Sequence, residues 1–339
     1  MKQPWIYNAK TDGIFILSPP FLVLLFVVLF QREIESLENR YSFYTWLILI
    51  VFVDVAHVYS TLFKTYFIKE EFQKRKWLYL GIPALSLVSG LVLFQFGSLV
   101  FWSVLALVAV FHFVRQQYGF MRLYARFENK GFSKFWDSVT IYSATIYPML
   151  YWFKTPKEFT WFVENEFGWM QNIPDYVPFI TVLYFGIIAV WIVKTIAQFV
   201  RTKTFNISKN TLITGTLLSW YFGIVYFNND LIFTLLNVIS HGIPYIALIY
   251  IREIKQKDRN VLKNLSVFKT GFGILLFIGI IIGLAFFEEF FWEILVWQEH
   301  FSIRSVDISS EWLSVLVPLL VVPQLTHYLL DGFIWRKPN

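Results

Sequence analysis

Long apolar runs separated by short polar segments dominate this chain. Several runs reach the ~18–20 apolar residues that a helix needs to cross a bilayer. The sequence contains neither a repeat of 20–50 residues nor a low-complexity linker. The predicted helices span 13–30, 43–63, 77–96, 99–120, 135–153, 177–200, 211–227, 231–251, 268–287 and 312–335. The pattern predicts an all-α fold, a polytopic bundle of about ten transmembrane helices that forms a single integral membrane domain over residues 1–339.

The distribution of basic residues supports this count and predicts an orientation. When the N-terminus and every second loop are assigned to the cytoplasm, these segments hold 23 of the 29 Lys and Arg residues. The opposite loops hold five, and Lys194 lies within a helix. The positive-inside rule expects such an asymmetry. Both termini are therefore predicted to be cytoplasmic.

Composition narrows the class of protein further. The chain is 57% hydrophobic and 15% charged, which is too little charge for a soluble domain of 339 residues. The net charge of +6 lies in short loops, where topology explains it, so no nucleic-acid partner is predicted. Because the chain has no cysteine, disulfides, iron–sulfur clusters and thiolate ligands are excluded. Segments 155–176 and 287–311 mix Trp and Phe with Glu and are interpreted as interfacial helices.

Four of the five histidines lie alone inside apolar helices, the second, fourth, eighth and tenth. They are His57, His112, His241 and His327. A polar side chain in hydrocarbon is costly and usually signals function. The next firmly cytoplasmic basic residue follows each histidine by 7 to 11 residues, so at ~1.5 Å per residue their depths agree within about 6 Å. Common depth is a condition for ligands of one metal, whereas His300, in an acidic loop, is interpreted as solvated.

Each of these histidines has an oxygen-bearing side chain three or four residues away, on the same helix face. These candidate catalytic residues are Asp54, Gln116, Tyr245 and Asp331. The two carboxylates are natural acceptors for the second N–H of a metal-bound histidine, and the amide and phenol could orient a bound water or dioxygen. Two alternatives stay open: the histidines could be structural hydrogen-bond donors between helices, and the carboxylates could pair with Arg115.

The donor set and the apolar surroundings suggest a chemistry. Four neutral imidazoles without a thiolate suit iron, copper, zinc or nickel. A large apolar bundle favours a lipid-soluble substrate, and such substrates are usually transformed by redox chemistry with O₂ rather than by hydrolysis. A single non-haem Fe(II), with O₂ as co-substrate, is therefore the predicted cofactor. The chain lacks the clustered HxxxH and HxxHH boxes of the two-iron membrane desaturases.

Several short motifs carry a family resemblance. They are residues 322–336 (VPQLTHYLLDGFIWR), Phe111–Phe113, Asn237–His241 in a helix ending at Ile251-Arg252, and Asp54–His57. Together they resemble the Brp/Blh-type bacterial membrane β-carotene dioxygenases. The resemblance implies histidine-held ferrous iron, cleavage of β-carotene to retinal, and a multi-pass protein of the bacterial cytoplasmic membrane. The chain departs from the family where Asp54 precedes His57 and where Tyr245 replaces a second histidine.

Three functions are consistent with these residues. The first is an iron oxygenase, a dioxygenase that takes a carotenoid or another long apolar lipid from the bilayer. The second is a b-type haem or quinone-linked membrane oxidoreductase that uses pairs of the histidines as axial ligands. The third is a proton-coupled transporter with Asp54, His57 and Asp331 as a relay, although no Gly/Pro-broken helix pair marks corresponding halves.

Overall fold

A computed structural model describes residues 3–38, 43–128, 131–155, 167–227, 229–298 and 308–335. Every regular element within these ranges is helical. The helices are α1 Ala9–Leu17, α2 Pro19–Leu29, α3 Gln31–Glu38, α4 Phe43–Phe63, α5 Lys69–Lys74, α6 Lys76–Gln95, α7 Ser98–Tyr124, α8 Phe132–Lys154, α9 Val177–Thr202, α10 Ile207–Trp220 with a wide-turn extension Tyr221–Tyr226, α11 Asp230–Lys255, α12 Arg259–Leu262, α13 Gly271–Trp297 and α14 Ser310–Ile334. Two 3₁₀ segments, Gly168–Asn172 and Lys263–Lys269, complete the described elements.

Each of the ten predicted segments coincides with helical structure. Among the described residues, seven helices are long and apolar enough to cross a membrane, which suggests a multi-pass membrane protein. The bent pair α1 and α2 would add an eighth span; the 50° bend precedes Pro19 and Pro20, which begin α2. Predicted spans 135–153 and 211–227 form α8 and α10, which are not among the seven. The ten-span count and the cytoplasmic termini remain predictions.

The prediction that the ninth helix ends at Phe287 was wrong. Helix α13 continues to Trp297, so Glu288, Glu289 and Glu293 are buried side chains of a helix rather than part of an interfacial segment. Residues 299–307, which include His300, lie outside the described residues. So do residues 156–166 of the other predicted interfacial segment, whose described part contains only one 3₁₀ segment.

The chain divides into two compact units. The first comprises Met1–Arg40 and Phe113–Pro244, and the second comprises Tyr41–His112 and Tyr245–Asn339. The divisions fall inside α7 and inside α11. The interpretation of residues 1–339 as one domain remains a prediction.

A buried network of charges joins three helices of the first unit. The Lys209 ammonium, in the first turns of α10, lies 2.7 Å from a carboxylate oxygen of Glu128 and 2.7 Å from one of Asp137 on α8. Lys194 of α9 also pairs with Asp137, and the Trp191 indole donates to the same carboxylate over 3.2 Å. Buried charges persist only when paired and hydrogen-bonded. The network therefore holds α8, α9 and α10 together within the first unit.

The second unit is held by aromatic and small-residue packing. Trp46 and Phe63 of α4 pack with Phe277 of α13 in one buried cluster. Helices α6 and α14 approach closely at Gly90, where an added Cβ atom would lie 3.2 Å from that of Pro318. These contacts hold α4 against α13 and α6 against α14.

Candidate metal centre

His57 follows an unusual stretch of helix α4. Trp46–Val55 form wide π-helical turns, Ala56–Ser60 return to α-helical geometry, and Thr61–Phe63 tighten into a 3₁₀ turn. Departures from α-helical winding inside a helix often occur at functional sites. The sequence of windings sets the rotation of His57 about the helix axis, and its side chain is buried.

Three buried histidine rings of the second unit come together. The ring centroid of His327 lies 4.9 Å from that of His57 and 4.6 Å from that of His112, and His57 and His112 are 6.2 Å apart. The Nε2 atoms of His112 and His327 are separated by 3.2 Å. His57 and His112 belong to a group of buried histidines whose ring nitrogens lie close enough together to hold a metal ion.

Aromatic rings surround these histidines. Tyr328 stacks on His112 with centroids 4.9 Å apart and an interplanar angle of 28°. Tyr245 of α11 presents its edge to His57 at 5.9 Å and to His327 at 5.2 Å. The three imidazoles therefore lie in a mostly apolar, buried environment, where interactions with a charged ligand are stronger than in water.

The two predicted carboxylates lie beside the group. An oxygen of Asp54 is 3.7 Å from His57 Nδ1, and one of Asp331 is 3.8 Å from His112 Nδ1. Both separations exceed a normal hydrogen bond, so neither carboxylate accepts directly from the ring nitrogen beside it. Asp331, four residues after His327, was expected to accept from that histidine; the structure places it beside His112 instead.

A different residue contacts His327. Its Nδ1 lies 2.8 Å from the Thr61 hydroxyl oxygen, which is also 3.2 Å from the Tyr245 hydroxyl. Tyr245 donates to Asp331 Oδ1 over 2.8 Å, and the Trp335 indole donates to the same oxygen over 2.6 Å. Tyr245 is thus engaged with protein groups, whereas the sequence suggested that it orients water or dioxygen.

His241 and Gln116 belong to the first unit. The Gln116 amide donates to the backbone carbonyl of His241 over 2.8 Å, and Phe113 stacks on the His241 ring at 3.8 Å. His241 is fully buried and precedes Tyr245 by four residues on α11, so the two share a helix face. Arg115 has no carboxylate partner among the described residues; it donates to the Tyr142 hydroxyl and stacks over Tyr118.

Sequence reasoning missed Thr61, Tyr328 and Glu288. Glu288 accepts from the Tyr59 hydroxyl over 2.6 Å and from the Gln324 amide over 3.1 Å. Helical spacing could have indicated Thr61, which follows His57 by four residues. Glu288 was missed because the predicted helix ended at Phe287, directly before this carboxylate, whereas α13 continues to Trp297.

The donor set fits a transition metal. Two nitrogen ligands of one ion, with bonds of about 2.1 Å, lie roughly 3.0–3.4 Å apart for bond angles near 90–110°, and the Nε2 atoms of His112 and His327 are 3.2 Å apart. Neutral imidazoles beside carboxylates suit iron, zinc, copper or nickel. Comparison with known protein families, curated proteins and solved structures finds no match to this chain.

Neutralising either carboxylate should weaken metal binding without abolishing it. Asp331→Asn keeps an oxygen that can accept from Tyr245 and Trp335 but removes the negative charge beside His112. We expect metal affinity to fall about 10–100-fold, as for other residues that support a ligand, and Asp54→Asn to act similarly through His57. Titration of the purified variants with Co²⁺ measures this, and affinities equal to that of the wild type would exclude a role for these charges.

Proposed function

We propose that this protein is a membrane non-haem iron oxygenase that cleaves a long apolar lipid, with a carotenoid such as β-carotene as substrate and retinal as product. The observation that carries the proposal is the buried group of His57, His112 and His327 in a helical chain with membrane-spanning properties. The resemblance of residues 322–336 to the bacterial β-carotene dioxygenases supplies the substrate class. We place the protein in the bacterial cytoplasmic membrane.

The three grouped histidines would hold Fe(II), and His241 would be a fourth ligand. Support for His241 comes from the depth that the sequence predicts for it, which matches that of the other three histidines. Bound iron would supply the activation of O₂. The carboxylates of Asp54 and Asp331 would offset part of its charge, and the surrounding aromatic rings would exclude water from an apolar substrate.

The proposed reaction balances without an electron donor. Oxidative cleavage breaks the central carbon–carbon double bond of β-carotene, and each of the two carbons takes one atom of O₂. One molecule of β-carotene and one of O₂ therefore give two molecules of retinal. The two carbons are oxidised, and dioxygen is the only oxidant that the reaction needs. Such a reaction requires neither an iron–sulfur cluster nor a thiol relay, and the chain has no cysteine to form either.

The geometry disfavours a haem held between His112 and His327. Two axial ligands on opposite sides of a haem iron, with bonds of about 2.0 Å, place their nitrogens roughly 4 Å apart. The Nε2 atoms of His112 and His327 are 3.2 Å apart, and a porphyrin ring could not fit between them. The separation fits two nitrogen atoms that occupy adjacent coordination positions of one non-haem ion.

Expression in a β-carotene-producing bacterium tests the proposal. The wild-type protein is expected to bleach the orange colour and to yield retinal, measured by chromatography of the extracted pigments. The His327→Ala variant, expressed to the same level in the membrane, should leave the colour unchanged. Persistent colour with iron bound to the wild-type protein would refute the carotenoid substrate and leave the iron site standing.

A further inference from the structure

A chain of four polar groups leads from Asp331 to His327 within the second unit. Asp331 Oδ1 accepts from Tyr245, the Tyr245 oxygen lies 3.2 Å from the Thr61 hydroxyl, and that hydroxyl lies 2.8 Å from His327 Nδ1. The first and last of these contacts have normal hydrogen-bond lengths, and the 3.2 Å contact between the two hydroxyls is a longer one. Thr61 is 4% exposed, so bulk water does not compete for its single proton.

The direction of every bond in this chain can be deduced from one end. An indole N–H can only donate, so the 2.6 Å contact from Trp335 makes Asp331 Oδ1 an acceptor. Tyr245 donates its one proton to Asp331 Oδ1, so in the 3.2 Å contact with Thr61 its oxygen accepts. The one proton of Thr61 is then used as well, so its oxygen must accept from the Nδ1–H of His327.

We propose that Thr61 is a positioning residue that holds His327 as the tautomer with its proton on Nδ1. A neutral imidazole protonated at Nδ1 has its lone pair on Nε2. Nε2 is the atom that faces His112, at 3.2 Å, and only a nitrogen with a free lone pair can bind a metal. The inference rests on the proposed metal-binding function and assigns the ligand atom of His327.

The same chain links two histidines through one carboxylate. Asp331 Oδ1 terminates the chain from His327, and its other oxygen lies 3.8 Å from His112 Nδ1. The negative charge thus favours a proton on Nδ1 of both rings, directly for His112 and through two hydroxyls for His327. Thr61 is the only link in this chain that no sequence argument singled out.

Thr61→Val tests the inference because valine keeps the shape of threonine and removes the hydroxyl. In a Co²⁺ titration followed by visible absorption, we expect an affinity about 10–100-fold below that of the wild type, the usual effect of losing a residue that orients a ligand. Thr61→Ser retains the hydroxyl and should restore most of the affinity. The d–d spectrum at saturation should also differ between Thr61→Val and the wild type.

Thr140→Val is the matched control, since it removes an equally buried threonine hydroxyl that bonds only a backbone carbonyl of the first unit. It should bind Co²⁺ like the wild type. Wild-type affinity in Thr61→Val, or an equal loss in Thr140→Val or Thr61→Ser, would overturn the role of Thr61 while leaving the metal site intact. A wild-type protein that binds no Co²⁺ and no iron would overturn the proposed function as well.

Discussion

The His112→Ala and His327→Ala variants are expected to lose more than about 100-fold in metal affinity. This loss exceeds the about 10–100-fold effect of removing a residue that only supports a ligand. Each substitution removes a bond to the ion, which is a larger loss than the misorientation of a ligand that stays bound. His57→Ala and His241→Ala should behave alike. Purified variants should contain little iron and should have lost activity on an apolar substrate.

His300→Ala is the control for these four variants, because it removes the only other histidine of the chain. It should retain iron and activity. Circular dichroism of each variant distinguishes loss of a ligand from loss of the helical fold. Full iron content in the His112→Ala and His327→Ala variants would show that these rings are hydrogen-bonding groups between helices rather than ligands.

The second large effect concerns stability. Lys209→Met is expected to destabilise the protein by about 3–5 kcal/mol, because breaking a buried ion pair from one side leaves its partner charge uncompensated. Glu128 would lose its ammonium partner, and Asp137 would keep one of its two ammonium partners, Lys194. Thermal unfolding in detergent measures the change as a lower melting temperature.

A charge-balanced double variant makes this prediction sharper. Adding Glu128→Gln to Lys209→Met leaves Asp137 paired with Lys194 and removes the unpaired carboxylate, so part of the stability should return. Arg201→Ala, at an exposed position of α9, should change stability by less than about 0.5 kcal/mol. If Lys209→Met melts like the wild type, the network contributes little to the fold of the first unit.

Helix positions could be predicted because apolar runs are long and membrane helices must satisfy their own backbone. The range 43–63 agrees with α4 at both ends. The end of α13 could not be predicted, since Glu288 and Glu289 lower local hydropathy although both are buried in the structure. Hydropathy reports transfer into lipid, whereas these carboxylates face protein partners.

The candidate site was predictable in depth but not in rotation. A fixed rise per residue places His57, His112 and His327 at one level from sequence alone. Which groups meet around them depends on helix rotation, which the π-helical turns of α4 change in a way no periodicity encodes. Asp331 was therefore assigned to His327, its neighbour on α14, whereas the structure places it beside His112 of another helix.

Metal analysis of the purified wild-type protein tests the central claim most directly. The protein should be purified from cells grown with iron, and its metals quantified by mass spectrometry together with its visible spectrum. The account predicts one iron per chain and no Soret band, with iron lost in the His112→Ala and His327→Ala variants. A wild-type protein that carries no metal, or whose iron resides in haem, would contradict it.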